Sequence, residues 1–158
     1  MTDAKEIRLE EMWPLMSEQL ARGKMVRFAP KGTSMLPMIR QNEDTVVIKR
    51  VHGRLKKYDV PLYRRKNGQF VLHRVVGFAK DGSYIMCGDN QYARESGITD
   101  EDILAVTDGY YSGGNYVSCN DANYMRYAKK QVRKQSLRRY FIKFKSLIKA
   151  ILKKILKF

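Results

Sequence analysis

The sequence FVLHRVVGF occupies residues 70–78 and places one histidine inside a run of apolar residues. Runs of this length that are rich in β-branched and aromatic residues are typical of β-strands. Because side chains alternate across a strand, His73 would share one face with Val71 and Val75, and Arg74 would lie on the opposite face. The run therefore predicts a buried strand that carries a titratable group.

Similar β-type runs lie on both sides of this strand. Lys-Asn-Gly at 66–68 and Lys-Asp-Gly at 80–82 are typical of hairpin turns, because Asn, Asp and Gly tolerate a positive φ. Residues 113–115 (Gly-Gly-Asn) are interpreted as another loop. We predict further strands at residues 25–29, 45–50, 60–64, 84–87 and 103–111. Together they predict a mostly β domain at residues 24–120.

A helix is predicted on each side of this domain. In residues 4–21 the apolar side chains recur at intervals of three and four, and Gly23 is a typical helix terminator. We expect the N-terminal region, 1–23, to pack on the β body. A second and longer helix is predicted at 121–158, because from Leu137 onward the apolar residues again recur every three or four positions.

The basic residues are concentrated in this C-terminal helix. Residues 126–158 contain 13 Lys and Arg and no Asp or Glu, whereas the whole chain has a net charge of +15. A helix with one apolar and one cationic side is typical of binding to an anionic membrane surface. The membrane-binding residues that we predict are Phe141, Phe144, Lys145, Ile148, Lys149, Ile151, Lys153 and Lys154.

Two other interpretations of the C-terminal helix are open. It could pack on the body with a solvated lysine face, or its charge could bind nucleic acid. No uncharged stretch approaches the roughly 20 apolar residues that span a bilayer, and residues 1–11 lack the apolar core of a signal peptide. We therefore expect a cytoplasmic protein that is peripherally associated with the membrane, without a transmembrane helix or a signal peptide.

The sequence gives no indication of a cofactor or a metal. Cys87 and Cys119 have no metal-ligating partners at the usual spacing, and a chain of 158 residues with 44% hydrophobic residues can bury a core without disulfides. We interpret both cysteines as reduced thiols and predict that no cofactor is bound.

Two short motifs supply chemistry that His73 could serve. The sequence GTSMLP at residues 32–37 places Ser34 in a turn of small residues, and GDN at residues 88–90 places Asp89 after a predicted strand. A serine oxygen is a poor nucleophile until a base removes its proton. Histidine, with a reference pKa of about 6.5, accepts a proton at neutral pH.

The ordered set of motifs resembles the signal peptidase I and LexA-like clan of serine proteases. Its Ser-Met-x-Pro box is matched by residues 34–37, its base-bearing strand by 70–78, and its Gly-Asp-Asn box by 88–90. Residues 44–48 and 58–63 are similar to supporting segments, although Tyr58 and Gly32 stand where the clan often has a glycine and a hydroxyl residue. The resemblance covers about residues 24–108, and histidine rather than lysine at position 73 is similar to the endoplasmic-reticulum and SipW-type branch.

This resemblance implies a signal-peptidase or LexA-like fold and a serine endopeptidase that cleaves a precursor or leader peptide at a membrane surface. Ser34 would be the nucleophile and His73 the base, Asp89 would orient His73, and the turn from Thr33 to Met35 would bind the oxyanion. The alternative is a non-catalytic or LexA-like regulatory protein whose basic tail binds nucleic acid.

Overall fold

The computed structural model describes the backbone of residues 8–155, and their side chains except at positions 150 and 153–155. This part of the chain forms two helices and nine strands, with a 3-10 turn at Asp100–Asp102. The elements are α1 (Leu9–Ala21), β1 (Val26–Phe28), β2 (Thr45–Lys49), β3 (Pro61–Arg64), β4 (Phe70–Leu72), β5 (Arg74–Phe78), β6 (Tyr84–Cys87), β7 (Glu95–Ile98), β8 (Ile103–Ser112), β9 (Asn115–Ser118) and α2 (Ala122–Ile155).

The strands form two antiparallel sheets. The larger sheet has the order β1-β2-β8-β3-β4, and β9 also pairs with β8. The smaller sheet has the order β5-β6-β7. The long strand β8 joins the larger sheet together, because it pairs with β2, β3 and β9. The structure is therefore a β-rich body with a helix before it and a helix after it.

The continuous strand predicted at residues 70–78 is wrong. The chain forms β4 up to Leu72 and starts β5 at Arg74, so the strand is interrupted at His73. β4 pairs with β3 in the larger sheet, whereas β5 pairs with β6 in the smaller one. His73 thus lies where the chain passes from one sheet to the other, and its ring is near the edges of both.

The other differences from the sequence prediction concern polar strands. β7, with the sequence ESGI, was not predicted, and neither was β9 at residues 115–118, which begins at the last residue of the loop predicted at 113–115. The hairpin turns at 66–68 and 80–82 are confirmed, since Gly68 and Gly82 both have positive φ and close backbone hydrogen bonds across the turn.

Two buried clusters stabilise the body. One lies between the larger sheet and the two helices and includes Met16 and Leu20 of α1 and Tyr124 and Ala128 of α2. The other lies between the sheets and is built from large side chains that include Tyr63, Val75, Tyr84 and Met86. Helix α1 therefore packs through apolar positions that its three-four spacing indicated, whereas α2 packs through residues that precede the apolar stripe predicted from Leu137.

Helix α2 has two different parts. Its first part packs on the body, with Tyr124, Ala128, Val132 and Gln135 buried. From Leu137 to residue 152 the described apolar side chains are exposed, and Tyr140 reaches 68% exposure. None of the described helices combines the length and the apolar character needed to cross a bilayer.

Candidate active site

The turn that carries Ser34 has free hydrogen-bonding groups. It follows β1 and is closed by bonds from the Leu36 amide to the Thr33 carbonyl and from the Ile39 amide to the Met35 carbonyl. The amides of Thr33, Ser34 and Met35 and the hydroxyl of Ser34 make no hydrogen bond with any described residue. These groups are therefore available to a bound peptide carbonyl, as an oxyanion site requires.

Gly88 lies against both Ser34 and His73. A methyl group on its α-carbon would come within 2.6 Å of the Ser34 carbonyl oxygen and 3.1 Å of His73 Cδ2. The first distance is too short for any real contact and involves backbone, so only glycine fits at position 88. The fold thus brings the backbone of the predicted nucleophile and the ring of the predicted base to the same side of one glycine.

The two side chains are not hydrogen bonded to each other in this structure. The one described hydrogen bond of His73 is to Tyr63, and Ser34 Oγ has none among the described residues. Nucleophile and base are often farther apart in an enzyme without substrate than in the reacting complex. The structure places Ser34 and His73 as neighbours rather than as a completed pair.

A tyrosine determines which nitrogen of His73 carries the proton. The Tyr63 hydroxyl donates its proton to Glu95 Oε2 at 2.7 Å, and its oxygen lies 3.3 Å from His73 Nδ1. Because that single proton is used, the contact with His73 requires a proton on Nδ1. Nε2 then carries the free lone pair, and Nε2 is bonded to Cδ2, the ring atom that lies against Gly88. The basic nitrogen is therefore the one next to the ring atom near Gly88.

Glu95 is held in the charged form that this arrangement needs. Arg65 donates from Nε to Glu95 Oε1 at 2.8 Å and from Nη2 to Oε2 at 2.6 Å. This pairing with Arg65, together with the Tyr63 hydroxyl, lowers the pKa of Glu95 although partial burial opposes the shift. A carboxylate that is ionised accepts but does not donate, so the tyrosine must be the donor.

His73 is neutral at physiological pH. Its residue is only 5% exposed, and burial together with the nearby positive charge of Arg65 lowers its pKa to about 4. Glu95 and Asp89 raise the pKa of His73, but less strongly.

A groove of about 540 Å³, lined by Arg65, His73 and residues 90–95, leads to the His73 ring from outside.

The structure assigns Asp89 different contacts from those that the sequence predicted. Both of its carboxylate oxygens accept hydrogen bonds of 2.7 Å from Arg74, and the two side chains are completely buried. Tyr127 also donates to Asp89 Oδ2 at 2.9 Å. The described contacts of Asp89 include none with His73. The predicted orienting role of Asp89 is therefore corrected, because the buried guanidinium of Arg74 is the stronger partner and binds the carboxylate.

Removing one partner of such a buried pair generally costs about 3–5 kcal/mol. Asp89 therefore stabilises the loop after β6 rather than contacting the imidazole. Its negative charge still acts on His73 at a distance, where it raises the pKa slightly against the larger effect of burial.

Tyr63, Arg65 and Glu95 were not predicted from the sequence. Tyr63 and Arg65 were assigned to or beside a strand, and Glu95 lay outside every predicted element. Their pairing joins the end of β3, in the larger sheet, to the start of β7, in the smaller one, and no sequence pattern indicates that the two lie together. In the described residues there is no cluster of His, Cys, Asp and Glu able to hold a metal ion, and both cysteines are free.

A second cavity, of about 400 Å³, lies beside the two edge strands of the larger sheet. Its walls come from the start of α1, from β1 with the residues after it, and from β4, and they include Met12, Phe28, Phe70 and Leu72. It reaches Lys31 and Leu72, close in sequence to Ser34 and His73. Unpaired strand edges next to an apolar cavity can bind an extended peptide.

The predicted membrane-binding side chains that the structure describes are all exposed. Phe141 is 59% exposed and Phe144 51%, and Lys145, Ile148, Lys149 and Ile151 are also at the surface. The side chains of Lys153 and Lys154 lie outside the described part.

No protein-family model matches the chain, and no curated protein is significantly similar to it.

The pKa of His73 gives a direct check of this site. We expect an NMR titration of the His73 ring to have its midpoint near pH 4, because burial and Arg65 disfavour the imidazolium. Arg65→Gln removes a positive charge and is expected to move the midpoint to higher pH. His52→Gln, which changes the other histidine, assigns the signals. A midpoint near the reference value, or one that Arg65→Gln does not change, would contradict the described environment.

Proposed function

We propose that this chain is a serine endopeptidase of the signal peptidase I and LexA-like type that cleaves a precursor or leader peptide at a membrane surface. The observation that carries the proposal is that the Ser34 backbone and the His73 ring lie against the same side of Gly88, while the contact with Tyr63 leaves Nε2 as the basic nitrogen of His73. A serine, a neutral imidazole and a group that fixes the imidazole tautomer are the parts that nucleophilic catalysis requires.

In the proposed mechanism Ser34 Oγ attacks the peptide carbonyl while His73 Nε2 accepts its proton. The amides of the turn at Thr33, Ser34 and Met35 bind the oxyanion, and His73 then gives the proton to the leaving amine. Tyr63 accepts the Nδ1 hydrogen throughout, and Glu95 stabilises the imidazolium through Tyr63. Tyr63 and Glu95 thus take the part that was first given to Asp89.

A backbone feature supports the resemblance to the clan. Tyr58 stands where the clan usually has a glycine, and its φ is +85°, in the left-handed region that favours glycine. The tyrosine therefore adopts the conformation that a glycine would adopt at this position. This agreement between a motif and an uncommon backbone angle is independent of the catalytic residues.

The association with a membrane rests on the second part of α2. Residues 137–152 expose a row of large apolar side chains, which is costly in water, and residues 126–158 have no acidic residue to pair with their lysines. Anionic lipid satisfies both features, since it accepts apolar side chains and attracts cations. Nucleic acid satisfies only the second, because bases and phosphates are contacted by polar side chains.

Peptide cleavage tests the catalytic assignment. A library of peptides with small residues before the scissile bond is expected to contain substrates that the wild type cleaves and that Ser34→Ala and His73→Ala do not cleave. Tyr63→Phe is expected to lower kcat roughly 100-fold, because the ring loses the acceptor that holds its tautomer. Ser17→Ala, on α1, is the matched control and is expected to have wild-type activity. Full activity in Ser34→Ala would refute the assignment.

Vesicle co-sedimentation tests the membrane proposal. We expect binding to vesicles that contain phosphatidylglycerol and much weaker binding to phosphatidylcholine vesicles. Lys145→Gln with Lys149→Gln is expected to lower the partition coefficient roughly tenfold or more, at about 1 kcal/mol for each lysine. Phe141→Ser with Phe144→Ser is expected to weaken binding as well, and Lys66→Gln, in the hairpin turn between β3 and β4, is the control. Equal binding to both vesicle types would contradict the proposal, and salt-sensitive binding to DNA alone would favour the nucleic-acid alternative.

A further inference from the structure

The first part of α2 is bonded to the loop that contacts both Ser34 and His73. This loop, residues 88–94, connects β6 to β7. Gln135 Nε2 donates to the Gly88 carbonyl at 2.7 Å, and Gln131 Nε2 donates to the carbonyl of Asp89. Both hydrogen bonds are to the backbone of the loop, so they fix the path of the chain rather than a single side chain.

Further contacts join the same two elements. Arg94 donates from Nη2 to Ser136 Oγ at 2.8 Å, and the guanidinium of Arg138 lies 5.4 Å from the centre of the Tyr92 ring. The helix therefore contacts the loop along its length. The loop forms one wall of the groove that leads to His73, and α2 is bonded to that wall.

The two glutamines occupy positions where a packed helix would ordinarily have apolar residues. Gln131 is 8% exposed and Gln135 5%, and Val132 and Ala128 on the same face are buried apolar residues. Burying an amide side chain is unfavourable unless its polar atoms are bonded. Gln135 Oε1 has no hydrogen-bond partner among the described residues, so burial of this side chain has a cost in free energy. Its one described side-chain hydrogen bond is to the loop.

The loop in turn holds the turn of the proposed nucleophile. The Asn90 amide donates to the Ser34 carbonyl at 2.8 Å, and Asn90 Nδ2 donates to the Thr33 carbonyl at 3.3 Å. Gly88, whose carbonyl accepts from Gln135, is the residue that lies against both the Ser34 backbone and the His73 ring. A displacement of the loop would therefore move Ser34 relative to His73.

We propose that Gln131 and Gln135 are positioning residues of the peptidase, which hold the 88–94 loop so that Ser34 stays close to His73. The inference rests on the proposed function. It adds that one continuous helix carries the membrane-binding side chains and also sets the catalytic geometry. A shift of about 1 Å in such a geometry can lower a rate roughly 100-fold.

The test uses a double variant that combines Gln131→Met and Gln135→Met. Its matched control combines Lys130→Met and Lys134→Met, at positions whose side chains are exposed on the same turns of α2. Methionine keeps the length of glutamine and removes the donor. On a peptide that the wild type cleaves in a Ser34-dependent manner, without vesicles, we expect kcat to fall roughly 10- to 100-fold with KM little changed. The amide hydrogen of Asn90 is expected to exchange faster in the double variant and at the wild-type rate in the control.

Wild-type kcat in the folded double variant, or unchanged exchange at Asn90, would overturn the inference. If the double variant does not fold, as judged by circular dichroism, the single variant Gln135→Met carries the same two measurements. A wild-type protein without any Ser34-dependent cleavage would refute the proposed function instead. In that case, unchanged exchange at Asn90 would also show that the glutamines do not hold the loop.

Discussion

The ion pair between Arg74 and Asp89 is completely buried and connects the parts of the molecule that form the site. Arg74 is the first residue of β5, and Asp89 lies in the loop after β6. Arg74 also donates to the Tyr58 carbonyl and to the Tyr124 hydroxyl, and Tyr127 donates to Asp89. A buried charge is tolerated only when it is paired and bonded in this way. The smaller sheet, the loop beside the serine turn and helix α2 are therefore fixed to one another by one pair of charges.

The chemistry of the candidate site depends on this ion pair, because the pair determines which side chains can contact His73. Because Asp89 is occupied by Arg74, the imidazole of His73 is oriented by Tyr63, which donates to Glu95 and accepts from Nδ1. Burial keeps the ring neutral, and the contact with Tyr63 leaves the lone pair on Nε2, next to the ring atom that lies against Gly88. The neutral imidazole has a free nitrogen that can accept a proton, and its low pKa makes it a weaker base than an exposed histidine.

The sequence was informative where a pattern is local. The strands that became β1, β2, β6 and β8, the two hairpin turns and both helices followed from apolar spacing and from turn residues. The interruption at His73 could not be predicted, because the same alternation continues on both sides of the residue while the partner strands change. β7 was missed because its polar sequence has no apolar periodicity. Local patterns show which residues form a strand but not which strand it pairs with.

The candidate site could also be predicted only in part from the sequence. Ser34 and His73 were recognised from their motifs, and the structure brings them to one glycine. Asp89 was predicted to orient His73. Motif order alone cannot show that Arg74, the residue after His73, pairs with the Asp89 carboxylate instead. Tyr63, Glu95 and the two glutamines of α2 belong to no motif, and their roles depend on contacts between residues that are distant in the sequence.

The central claim is that His73 activates Ser34, and a covalent probe tests it most directly. A fluorophosphonate that reacts with activated serines, followed by mass spectrometry of the digested protein, reports which serine is nucleophilic. The account predicts a single adduct on the peptide that contains Ser34 and no adduct in a folded His73→Ala variant. An adduct on another serine, no adduct at all, or equal labelling of Ser34 without His73 would contradict it.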